Sequence, residues 1–286
     1  MEIIIEDTYE LYNKMICLPE DKRKDFYETS ILGPFDGYYK IMQMSKEPKM
    51  QALLGYNGHD EEIKIMMQKL KGADAWNGVK QTLSKAADIL NNAGLKIPEK
   101  IVVGIFLGDP ELLKQSEGYA GNGSIPGYIQ LAIVPDEKNL AKLNACAAHE
   151  FHHNVLFYNA KWNFMNVSVG QYLAVEGLAE SFAESMFGKE FIGPWVTNVD
   201  NEGLEKAREI IAPALSIKGF MQARMYMYGD HPMVPEAKSL GIPYCGGYAV
   251  GYHAVQSYMK KKHVTVAEAT RVDGEEIMRE SGYFEL

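Results

Sequence analysis

Cysteine is scarce in this chain. Only Cys17, Cys146 and Cys245 occur among 286 residues. That odd, widely spaced set excludes a disulfide framework and offers no paired zinc-knuckle spacing. It suits a reducing compartment, so the expected location is cytoplasmic. Basic charge is short as well: 29 Lys and Arg stand against 38 Asp and Glu, for a net charge of −9. Nonspecific nucleic-acid binding needs a basic surface to displace counterions, so no nucleic-acid partner is expected. No apolar run approaches the length of a membrane span. The opening MEIIIEDTYELYNKM lacks a basic segment followed by a long apolar one, so no signal peptide is expected. Internal repeats and low-complexity segments are missing too. What remains is an ordinary globular composition, 47% hydrophobic and 23% charged, long enough to bury a sizeable core. The sequence leaves the oligomeric state open.

The first 95 or so residues read as mainly helical. EEIKIMMQKL, residues 61–70, has apolar residues at helical spacing, and residues 79–92 follow with Leu83, Ala86, Ala87 and Leu90 on one face before Gly94. KIVVGIFL, residues 100–107, is β-branched and continuous, as a buried strand is. The glycine-rich first half of GYAGNGSIPGYIQLAIVPD reads as a loop, and residues 128–134 as a strand that Pro135 ends. Pro135-Asp136-Glu137 then opens a helix over 138–157, with acidic residues favourable in its first turn. Further helices are predicted over 169–187, stopping at Gly188, over 201–227 and over 246–260. The division expected on these grounds is a mainly helical region 1–94 and a strand-containing region 95–286, folded together as one compact unit.

The helix over 138–157 carries HEFHH, which holds three of the chain's seven histidines. Residues four apart lie on one helix face, so His149 and His153 can present two imidazoles to one ion. Glu150 projects beside them, where it can hold a water on that ion. This is the HExxH arrangement of zinc metallohydrolases. Two neutral imidazoles bind Zn²⁺ without cancelling its charge, and the carboxylate can take a proton from the bound water. His152 lies off that face and reads as a spacer or a hydrogen-bond partner. Cys146, one turn earlier, reads as a small buried apolar residue.

A catalytic zinc needs a third protein ligand. In AVEGLAESFAES, Glu176, Glu180 and Glu184 recur every four residues. A charged stripe of this kind is usually a solvated face. Here Val175, Leu178, Ala179, Phe182 and Ala183 leave little polar surface, and a helix apolar around most of its girth is buried. A buried carboxylate needs a cation. Glu176 is therefore the expected third ligand, and Glu180 is placed to accept from the distal nitrogen of a ligand histidine. Glu184 reads as structural or exposed, and Gly177 as a point where the two helices approach closely.

HEFHH followed by a separate helix with VEGLAE resembles the gluzincin clan of zinc metallopeptidases. More closely, the chain resembles a bacterial family of predicted zinc-dependent proteases that pair HExxH with an EGLAE-like helix and a late GYxxGY segment. The late segment stands here as CGGYAVGYHAVQSYM, and the resemblance covers roughly residues 100–259. It implies one catalytic Zn²⁺ and a peptide or protein substrate. It also implies a catalytic tyrosine in a Y-x-x-G segment, which Tyr248-Ala249-Val250-Gly251 matches. By themselves Tyr248 and Tyr252 read equally as core aromatics or as neutral donors to an oxyanion. Tyr252, His253 and His231 are reserve donors. In zincins an edge strand before the active helix pairs with an extended peptide. Residues 128–134 are that strand or an ordinary core strand.

The expected fold is thus α+β and zincin-like, a small sheet packed on the HEFHH helix with a mostly helical C-terminal lobe. The expected function is a zinc metallopeptidase. The rival readings are a non-proteolytic zinc metallohydrolase and a binding or chaperone-like protein on the same scaffold.

Overall fold

The computed structural model describes every residue except 161–162, 231–238 and 286. The chain is α+β and folds as two compact units. One comprises Met1–Asn91 and Lys96–Tyr158, the other Asn92–Leu95 and Asn159–Leu286.

The first unit holds a four-stranded mixed sheet of β1 (Glu2–Ile5), β2 (Lys100–Leu107), β3 (Tyr119–Asn122) and β4 (Tyr128–Ile133), in the order β1-β2-β4-β3. β1 and β4 flank β2 in parallel, and β3 closes the sheet antiparallel to β4. The long apolar run of β2 is explained by its interior place, where both faces are covered. Helices α1 (Thr8–Ile16), α2 (Glu20–Phe26), α3 (Asp36–Met42), α4 (Asp60–Gly72), α5 (Ala75–Asn92) and α6 (Glu137–Asn159) complete the unit. α6 starts where the sequence places it. The Asp136 carboxylate accepts the Asn139 N–H at 2.7 Å, and Glu137 lies in the first turn. From Ala145 to Leu156 every residue is buried, so HEFHH sits in the interior stretch of α6.

Three sequence expectations change here. β1 and β3 are strands that were not expected. β1 is only four residues long, and β3 (YAGN) lacks the β-branched residues that mark a strand. β4 lies between β2 and β3, so residues 128–134 form a core strand, and the edges of the sheet are β1 and β3. The division near Gly94 does not match the units either, because β1 pairs with β2 and ties the N-terminal helices to the rest of the sheet.

The second unit is helical: α7 (Val169–Phe187), α8 (Pro194–Thr197), α9 (Asn201–Ile211), α10 (Phe220–Tyr228), α11 (Gly246–Lys262), α12 (Val266–Ala269) and α13 (Gly274–Glu280). A capping box between Ser168 and Gln171 starts α7, and Gly188, at φ 105°, ends it. α11 packs along α7 at two facing glycines. A Cβ on Gly177 would collide with the Gly251 carbonyl, and one on Gly251 with the Leu173 carbonyl. The close approach that Gly177 permits is therefore to α11. The single helix predicted over 201–227 is two. α9 ends at Ile211, a 3₁₀ turn with Pro213 comes next, and α10 starts after Gly219 at φ 112°. Proline cannot donate to a helix, and glycine alone adopts that φ without strain. Among the described residues, no helix is long and apolar enough to cross a membrane.

Candidate metal centre

α6 delivers two of the expected donors by spacing alone. His149 and His153 are both buried, with ring centroids 4.8 Å apart and planes 83° to one another. The His153 ring stacks on Phe157, one turn further on, at 5.8 Å.

Glu150 is buried beside them, and β3 runs against it. A Cβ on Gly121 would lie 2.5 Å from Glu150 Oε1, and one on Gly123 would strike the Glu150 carbonyl. Only glycine fits at these two positions, so the glycine-rich stretch is a strand pressed on the candidate base. Tyr38, from α3, lies within range of Glu150. Burial, with the Glu150 charge adding to it, pushes the Tyr38 phenol up to about 12. That neighbour was not visible in the sequence, because α3 is more than a hundred residues away.

Asn154 was also missed. It is wholly buried next to His153. Its amide donates to the carbonyls of Gly123 and Tyr128 at 2.7 and 2.9 Å, and its oxygen accepts the Gly127 N–H at 2.7 Å. The side chain thus bolts the β3–β4 connection to α6. An asparagine in the interior of a helix, where its side chain competes with the backbone, is the signal that could have marked it.

In the second unit, α7 presents the glutamates. Glu176 is half-buried. Its negative charge helps hold the Tyr172, Tyr228 and Tyr248 phenols above their ordinary pKa, burial being the largest cause for each. Tyr248, on α11, meets Tyr228, on α10, edge-on at 5.5 Å. It stays a neutral phenol across the physiological range. Glu180 is buried and accepts the Gly193 N–H at 2.6 Å and the Trp195 indole N–H at 2.7 Å. Glu184 is structural: it accepts from Tyr252 Oη at 2.9 Å and Gln256 Nε2 at 2.6 Å.

The reserve donors divide. Tyr252 commits its hydroxyl to Glu184 and its ring to a buried cluster with Ile192, Val196 and Ala249. His253 packs between the rings of Tyr252 and Tyr283, at 5.1 and 6.3 Å, and burial lowers its pKa. His231 lies outside the described residues.

His149, His153 and Glu176 form a group that could hold one metal ion. Each offers a ligand atom, and these atoms lie within 4.8 Å of one another. Among the described residues no other group of three His, Cys, Asp or Glu meets that test. Two histidine nitrogens and a carboxylate oxygen are donors of the type that zinc takes.

Residues 75–279 match the family described as "Predicted Zn-dependent protease (DUF2268)". The chain belongs to this family. The DUF2268 match begins with α5 and takes in HEFHH, VEGLAE and the late tyrosine segment. The chain is also 38% identical to the uncharacterized protein YjfC of Bacillus subtilis (strain 168), over 99% of each chain. The similarity thus extends ahead of the residues that match DUF2268. No solved structure matches the chain.

Proposed function

We propose that the protein is a zinc-dependent metallopeptidase of gluzincin type, built on a zincin-like fold. The donor group of His149, His153 and Glu176, with Glu150 beside the first histidine, carries this reading. The family description points the same way.

The three donors are neutral or singly charged and leave a fourth position for water. Zinc held there supplies Lewis acidity, which polarises a peptide carbonyl and lowers the pKa of water. Glu150 takes the proton from the attacking water and passes it to the leaving amine. Tyr248, kept neutral by its surroundings, donates to the developing oxyanion. Glu180 accepts from the distal nitrogen of a ligand histidine, beside its bonds from Gly193 and Trp195. The substrate lies extended along the free edge of β3, pairing by main-chain hydrogen bonds next to Glu150.

Zinc content and casein cleavage test the reading together. The wild type should hold one zinc per chain and cleave, H153A should lose the metal, and E150Q should keep it without cleaving. Wild type without stoichiometric zinc, or zinc retained by H153A, sinks the metal site. Zinc-loaded wild type that leaves casein and peptides intact removes the peptidase reading.

A further inference from the structure

A cavity of about 410 Å³ opens in the first unit, outside the HEFHH region. Ile5, the last residue of β1, lines its floor with Tyr9 and Trp76. The rim carries Asp7 and Glu10 from the start of α1, Lys71 from the last turn of α4, and Asn77 and Lys80 from the first turns of α5. The size falls in the range of small-molecule pockets.

The aromatic walls are fixed in advance. Tyr9 Oη accepts from Gln68 at 2.8 Å, Lys71 Nζ lies 4.1 Å from the Tyr9 ring centre, and Trp76 meets that ring edge-on at 6.2 Å. The Trp76 indole N–H donates to Thr8 Oγ1 at 3.1 Å, and Thr8 in turn donates to the Ile105 carbonyl of β2. Walls held this way lose little freedom when a ligand arrives.

The charged groups are exposed, and Asp7 caps α1 by accepting the Glu10 N–H at 3.1 Å. Among the described residues no ion pair ties Asp7, Glu10, Lys71 or Lys80 to an opposite charge. Two anions near the start of α1 and two cations from α4 and α5 line the cavity together with Ile5, Tyr9 and Trp76. A ligand that satisfies all of them carries both signs and an apolar body.

We infer that this cavity binds a free amino acid with a large apolar side chain. The ammonium faces Asp7 and Glu10, the carboxylate faces Lys71 and Lys80, and the side chain lies on Ile5, Tyr9 and Trp76. The inference is independent of the proposed hydrolysis.

Indole N–H signals in a ¹H–¹⁵N spectrum of the full chain provide the test. The chain has three tryptophans, and the Trp76 signal is the one lost in W76F. L-phenylalanine at millimolar concentration should move that signal. N-acetylphenylalaninamide, blocked at both ends, should bind about tenfold more weakly, and the K71A/K80A double variant should lose about the same, as for two exposed charge contacts. A Trp76 signal that phenylalanine leaves unmoved overturns the inference. Equal binding by the blocked analogue, or by the double variant, overturns it too. No readout requires bond cleavage, so a failure here is distinct from a failure of the peptidase reading.

Discussion

Gly121 on β3 and Glu150 on α6 leave no room for a methyl group between them: a Cβ on the glycine would stand 2.5 Å from the carboxylate oxygen. The strand and the candidate base define each other's position. G121A should therefore keep its zinc, since no ligand is touched, while peptide hydrolysis falls about 100-fold, the low end of what a positioned base contributes. Parallel metal analysis and a casein assay decide it. Full activity in G121A would mean that the carboxylate does not work from the position it occupies beside β3.

Asn154 should be worth more to the fold than a single amide side chain suggests. N154A strands one N–H and two carbonyls in the β3–β4 connection, all now served by one side chain. Buried groups left without partners cost about 1–3 kcal/mol each, and partial relaxation brings the expected total to about 3 kcal/mol. The urea midpoint measures it, and a shift within error would show that water replaces the amide.

These two residues also show where the sequence was and was not legible. The HEFHH spacing, the start of α6 at Asp136 and the stop of α7 at Gly188 come from local rules, and the structure has all three. β3 was hidden because its composition answers to a constraint from elsewhere in the chain. Its glycine, Gly121, and Gly123 just after it are set by α6 and not by strand propensity, so YAGN reads as loop. β1 and Tyr38 were hidden by distance: nothing near residue 4 announces a partner near residue 102. The break between α9 and α10 was legible in Pro213 and Gly219 and was overrun by a helical pattern on either side.

Trp195 should act through Glu180. The indole N–H is one of the bonds held by that buried carboxylate, and hydrogen bonds to charged groups are worth about 1.5–3 kcal/mol. W195F removes the donor together with the five-membered part of the indole. In a double-mutant cycle with E180Q, chemical denaturation should show a coupling of about 2 kcal/mol, whereas a purely packing role for Trp195 predicts additive losses.

The facing glycines of α7 and α11 admit no side chain. In G251A the new Cβ meets the Leu173 carbonyl, and backbone cannot rotate out of the way as a side chain can. The helices must part, at a cost of about 3 kcal/mol or more for overpacking of this kind. Thermal melts of G251A and G177A should both fall well below wild type. A G251A melt unchanged from wild type would mean that α11 does not seat on α7 through this residue.

His253 gives the second unit a pH dependence with a definite sign. Burial holds its pKa below the ordinary 6.5, and Lys189 adds to that while Glu184 opposes it. Its ring lies between the Tyr252 and Tyr283 rings, which stay neutral at these pH values. Above about pH 6.5 neither the folded nor the unfolded chain protonates this imidazole, and it contributes nothing. As pH falls below that value the unfolded chain binds a proton that the folded one resists, so stability declines on the acid side. H253F fills the same stack without a titrating group. Urea midpoints measured from about pH 7 to pH 5 should therefore fall less steeply in H253F than in wild type, and identical slopes would show that other groups set the acid limb.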